Sequence, residues 1–142
     1  MKKFYFILCF LLFFSEIAFS DNLDFKVDVI IASTNGSYVD ESLYKIKRKL
    51  NRLFKFSSYY LIKKERIRFL NKKTSIIDLP EDLKLSLEYV YKNGNSYGLK
   101  AKITGIGKTY VNTRFEIRKS GSFFIGGIKL KNGVLIIRVY LE

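Results

Sequence analysis

"LKLSLEYVYKNGNSYGLKAKITGIGKTYVNTRFEIR", residues 83–118, is the stretch on which the fold turns. Leu83, Leu85, Leu87, Tyr89 and Tyr91 alternate with Lys84, Ser86, Glu88 and Lys92. Period two places the first set on one side of a strand, against a core, and the second set on the other. Asn93-Gly94-Asn95-Ser96 reads as a hairpin turn, and Tyr97, Leu99, Ala101 and Ile103 then resume the alternation. Gly107-Lys108-Thr109 invites a different reading, the end of a phosphate-binding loop. That motif needs a glycine five residues before Gly107, where Lys102 stands. It also needs a helix directly afterwards, because the free N–H groups of a helix start hold the phosphates. Here Tyr110-Val111-Asn112-Thr113-Arg114-Phe115 alternates with period two, so a strand follows and no nucleotide is expected. Gly105 and Gly107 then serve a turn, with Lys108 in solvent.

Working outward, Val111, Thr113, Phe115 and Ile117 make a half-buried strand. Residues 122–130 and 134–141 flank Asn132-Gly133, a pair that accepts the positive φ of a type I′ hairpin turn. Upstream, Phe25, Val27, Val29 and Ile31 share a strand face. Tyr59, Leu61, Ile67 and Phe69 share another within residues 58–69, and residues 75–79 form a short run stopped by Pro80-Glu81-Asp82. One helix is expected, from Glu41 to about Phe54. Asp40 is placed to cap it, and Val39 and Tyr44 stand at the positions of a hydrophobic staple. Leu43, Ile46, Leu50, Leu53 and Phe54 make a buried stripe at helical spacing. These elements predict an α+β domain. One N-terminal amphipathic helix packs on a mostly antiparallel, curled sheet of six to eight strands.

The first twenty residues have the layout of a secretory signal peptide. Lys2 and Lys3 precede an apolar run over residues 4–14. Ala18-Phe19-Ser20 then supplies small residues at a cleavage site before Asp21. The run falls short of the roughly 20 residues that cross a bilayer. The expected organisation is a signal peptide over 1–20 and a single domain over 21–142, exported to a periplasm or beyond. The only cysteine, Cys9, lies inside that run, and the chain has no histidine. Their absence from the exported part removes the commonest general base, the thiol nucleophile, the Ser-His-Asp arrangement and most zinc and copper sites. Two enzymatic routes remain. A carboxylate pair could come from Asp28, Glu88 and Glu116, but all three fall on polar strand sides where solvated carboxylates are ordinary. Ser57, Ser58 or Ser120 could meet a lysine, although lysines are too frequent for that to carry meaning. No enzyme activity, cofactor or metal is expected.

The net charge of +13 fits acidic neighbours, but the Lys-, Asn- and Ile-rich composition of an AT-rich genome accounts for it more simply. The strongest basic feature is a helix face with Lys45, Lys49 and Arg52, near Lys47, Arg48 and Lys55. It reads either as an interaction surface or as the solvated side of a packed helix. The expected partner is another envelope protein, with anionic lipid or glycan as the alternative. Export argues against nucleic acid. Beside the leading reading of a non-enzymatic binding protein stands a carboxylate-based hydrolase of envelope polymers.

Two resemblances bear on context. Ala32-Ser33-Thr34-Asn35-Gly36, Val39-Asp40, the helix and Phe54-Lys55-Phe56-Ser57-Ser58-Tyr59 resemble a family of small exported bacterial proteins. Its members are of deltaproteobacterial type and of unknown function. Leu79-Pro80, Asn112-Thr113 and Gly126-Gly127 also match, and the resemblance implies no activity. "NTRFEIRKSGSFFIGGIKL", residues 112–130, is similar to a strand–Gly–strand–Gly-Gly segment of outer-membrane secretins, with Gly121 as the turn glycine. That similarity implies an assembly or secretion setting. The same residues read otherwise as an ordinary hairpin with a glycine bulge.

Overall fold

The computed structural model describes residues 24–69 and 73–142, so the leader-like segment lies outside the described residues. The strands are β1 (Asp24–Ser33), β2 (Ser58–Arg68), β3 (Thr74–Asp78), β4 (Lys84–Asn93), β5 (Ser96–Gly105), β6 (Lys108–Arg118), β7 (Ser122–Leu130) and β8 (Gly133–Leu141). They form two four-stranded sheets, β2-β1-β8-β7 (sheet I) and β3-β4-β5-β6 (sheet II), in which every pairing is antiparallel. The order is that of an up-and-down meander closed by β8 on β1, with unpaired seams where the chain crosses from β2 to β3 and from β6 to β7.

This corrects the expected α+β fold. The main core is not a helix against one sheet but two sheets face to face. Phe25, Val27, Val29, Leu135, Ile137 and Val139 of sheet I meet Leu85, Leu87, Leu99, Ala101, Ile103 and Ile117 of sheet II. The helical part is short. A 3-10 helix covers Glu41–Ile46 and α1 covers Lys47–Leu53. A segment this brief cannot serve as the second layer of a domain, since it has too little apolar area to cover a four-stranded sheet. Its Leu43 and Leu50 join Ile30, Ala32, Tyr59 and Ile136 in a smaller cluster on the outer face of sheet I. That patch explains why β1 carries the unbroken run Val29-Ile30-Ile31: here both faces of the strand are covered.

Bulges account for further differences. Val29 pairs with Lys63 and Ile30 with Leu61, which leaves Ile62 as an extra residue in β2. One extra residue reverses the side-chain parity of a strand. Tyr59 and Leu61 therefore pack on the outer cluster, whereas Ile67 and Phe69 belong to the inner core, and the four do not share a face. In β4, Tyr89 pairs with Leu99 and Tyr91 with Gly98. The extra Val90 turns Tyr91 away from the core, and its ring lies over Gly98. In β7, Gly127 with φ +99° is the extra residue, so the glycine bulge is present.

The hairpin expected across Gly121 does not form, because β6 and β7 lie in different sheets. Residues 119–121 instead turn a corner between them, with Ser120 at φ 64°. The loop pair before β8 is Lys131-Asn132 rather than Asn132-Gly133, since Leu130 pairs with Gly133. Gly133 is required for another reason: a β-carbon there would collide with the Ala32 carbonyl. The connection of β5 to β6 is a tight hairpin whose tip is Ile106-Gly107, with Gly107 at φ +67° and a strand beginning at Lys108.

Candidate functional site

Past the helical segment, the outer face of sheet I changes character. Its strand register sets Lys64, Asp28, Arg138 and Phe124 in one row across the four strands. The next row is Arg66, Lys26, Tyr140 and Ser122. The helical segment stands beside these rows, and the space between is a cleft of ≈ 590 Å³. Glu41, Ser42, Lys45 and Ile46 form one wall, and Lys64, Arg138 and Tyr140 line the other side. Residues 120–121 and Glu142 close its end.

Asp28 is the centre of the charge arrangement. Only 2 % of it is exposed, which contradicts the solvated carboxylate expected of a polar strand position. The reason is tertiary: Asp28 is on the outer face, but Arg138 and Tyr140 close over it. Arg138 donates from Nη1 to Asp28 Oδ2 at 3.3 Å, and the Tyr140 hydroxyl reaches Oδ1 at 3.5 Å. Burial pushes the Asp28 carboxyl above its ordinary range, against the opposing pull of Lys64, Arg138 and Tyr140. Burial, with the nearby Asp28 charge, also raises the Tyr140 phenol. The Arg138 guanidinium stacks 3.8 Å above the Tyr140 ring. Lys26 is tied to Glu142, whose carboxyl that bond holds below its usual value.

Arg138 is incompletely used. Arg68, on the same sheet, shows what a saturated pairing looks like: Nε and Nη2 both donate to Asp24, at 2.5 and 3.3 Å. Arg138 gives one donor to Asp28, and its buried Nε has no partner. An unmet buried donor on a charged group is costly, and the Nη donors that Asp28 does not take are left to donate to an oxyanion.

The three expected helix-face residues separate. Lys45 lines the cleft. Lys49 Nζ donates to Ser122 Oγ at 3.0 Å and stands 5.3 Å over the Phe124 ring, so it lies down on β7. Arg52 is exposed on the far side. The change from 3-10 to α geometry within the segment breaks the common face that continuous helical spacing would have given them. Among the candidate carboxylates, Glu88 (β4) and Glu116 (β6) belong to sheet II, and Glu116 accepts a hydrogen bond from Tyr91. Asp28 therefore meets neither. Of the candidate serines, Ser58 is buried, donates to the Asn35 carbonyl at 2.8 Å and accepts from the Tyr38 N–H at 3.0 Å, fixing the loop ahead of the helix. Among the described residues no group of three or more Asp, Glu, His or Cys could hold a metal ion, and no helix is long and apolar enough to cross a membrane.

Arg138, Tyr140 and Lys64 were not singled out from the sequence. A signal was there: Arg138 is the one charged residue of β8, and Asp28 directly precedes the apolar run Val29-Ile30-Ile31 of β1. They become partners only if β1 pairs with β8 in this register. No family model, curated protein or solved structure matches the chain.

Proposed function

We propose that the protein is a non-enzymatic, exported binding domain of a cell envelope that holds an oxyanion of a partner molecule in the cleft beside Arg138. The observation that carries this is the half-used guanidinium of Arg138, oriented by the buried Asp28 and facing a cleft that Lys45 and Lys64 line. A guanidinium held flat by a carboxylate on one side and an aromatic ring beneath is preorganised for a planar, two-oxygen acceptor. The reading is one of binding rather than catalysis because Asp28 is committed to Arg138 and Tyr140, with Glu88 and Glu116 on the other sheet. The envelope setting rests on the leader-like N-terminus and on the two resemblances.

Titration with inorganic phosphate, followed by backbone amide NMR shifts, tests it. Saturable shifts are expected at Lys45, Ser120, Gly121 and Arg138, and Lys64→Gln should weaken the apparent affinity several-fold while the fold is retained. Shifts spread evenly over lysine-bearing surfaces, or an affinity unchanged by Lys45→Gln and Lys64→Gln together, would sink the reading.

A further inference from the structure

Tyr44 and Leu53 were expected inside, in the staple and the buried stripe, yet they are 61 % and 52 % exposed. The segment that carries them is strongly basic. Residues 41–55 hold Lys45, Lys47, Arg48, Lys49, Arg52 and Lys55 against the single acid Glu41. Leu43 and Leu50 anchor it on sheet I, so the segment stands as a ridge on the outside of the sandwich. Arg48 and Arg52, four residues apart, share a flank of α1 turned away from the buried Leu50. Exposed apolar and aromatic side chains set among cations of one sign match the boundary of an anionic bilayer, where apolar groups enter the acyl margin and cations meet headgroups.

Other exposed features lack this combination. On the outer face of sheet II the signs interleave, with Lys84 bound to Asp78 and Glu88 set beside Lys100. Tyr38 and Tyr60 stack on each other and Ile62 is exposed at the bulge of β2, but the next charge along the strand, Lys63, is paired with Glu65, so no excess of one sign indicates what would cover them. Ile106, 92 % exposed, stands at a hairpin tip whose neighbour Lys108 already covers Tyr110.

We infer that the helical ridge is a docking face for an anionic lipid surface, with Tyr44 and Leu53 entering the interface and Arg48 and Arg52 on the headgroups. This surface is separate from the oxyanion cleft and stands or falls without it. The test is co-sedimentation of the full chain with vesicles of phosphatidylcholine alone or with three-tenths phosphatidylglycerol, at low and high salt. The readout is the change that each variant makes in the difference between the two compositions, because the N-terminal segment, with Lys2 and Lys3, is common to all the proteins compared. Arg48→Glu/Arg52→Glu should abolish most of the phosphatidylglycerol-dependent binding, about tenfold or more. Tyr44→Ser/Leu53→Ser should leave weaker binding that salt removes fully. Lys100→Glu/Lys102→Glu, which lowers the net charge equally on sheet II, should change little. No phosphatidylglycerol dependence, or an equal loss in the helix and sheet II charge variants, would overturn the inference. Phosphate-induced shifts in the cleft that persist in Arg48→Glu/Arg52→Glu would show the two sites to be distinct.

Discussion

The ring of Phe54 lies over Gly126, in the space that a β-carbon on that glycine would occupy. This contact seats the end of the helical segment on β7, and Phe124 meets the same ring edge-on at 6.4 Å between centroids. Gly126→Ala should therefore destabilise the protein by about 1–3 kcal/mol, because the ring must move out of a packed patch. In a Phe54→Ala background the same change should cost little. Urea denaturation of the four proteins in the cycle checks this, and additive costs would show that ring and glycine are not coupled.

Asp28 sets a pH signature. Its carboxyl is raised by burial, so between its unfolded value of 3.8 and the higher folded value the native state binds more proton than the unfolded chain. Stability contributed by this group is then greatest at low pH and falls as pH rises through that window. Relative to Asp28→Asn, the wild type should lose stability from pH 3.8 upward and level off once Asp28 is ionised in both states. A difference that grows in favour of wild type over that range would mean that Arg138 and Lys64 outweigh burial.

Tyr59 ties the helix end to sheet I through its hydroxyl, whose single proton is shared between the carbonyls of Leu50 at 3.3 Å and Phe54 at 3.2 Å. Tyr59→Phe keeps the buried ring and removes that tie. The expected loss is about 1 kcal/mol, read by thermal or urea unfolding. Amide exchange should also quicken in α1 while β4 and β5 keep their protection.

At the corner between sheets, Ser120 adopts φ 64°, a conformation that costs a residue with a β-carbon about 1–2 kcal/mol. Ser120→Gly should raise the melting temperature and Ser120→Val should lower it. If the glycine variant were the less stable, the positive φ would not be the governing feature at this position.

Much of the strand content was legible because period-two alternation reports directly on burial. Leu85 and Leu87, and Leu99, Ala101 and Ile103, point inward as their spacing requires. The turns at Gly94 and Gly107 were legible for the same local reason, that few other residues accept positive φ. The faces beyond a bulge were not. Nothing in residues 58–69 or 83–93 marks Ile62 or Val90 as the extra residue, because a bulge is defined by the partner strand. The site was hidden with them. Lys45 could be picked out by its charge, but Asp28 reads as a solvated carboxylate and its partner Arg138 is 110 residues away.

By itself, then, the sequence determined local states: which segments extend, where they turn, and which chemistries lack their residues. Only the tertiary structure decided that the strands divide into two sheets and that the helix is a ridge on one of them. It also decided that a carboxylate on a polar face is buried. The physical reason is that alternation records whether a face is covered, not by what. Pairing β1 with β8 supplied the cover for Asp28, and the crossing at Ser120 supplied a second sheet where a hairpin was expected.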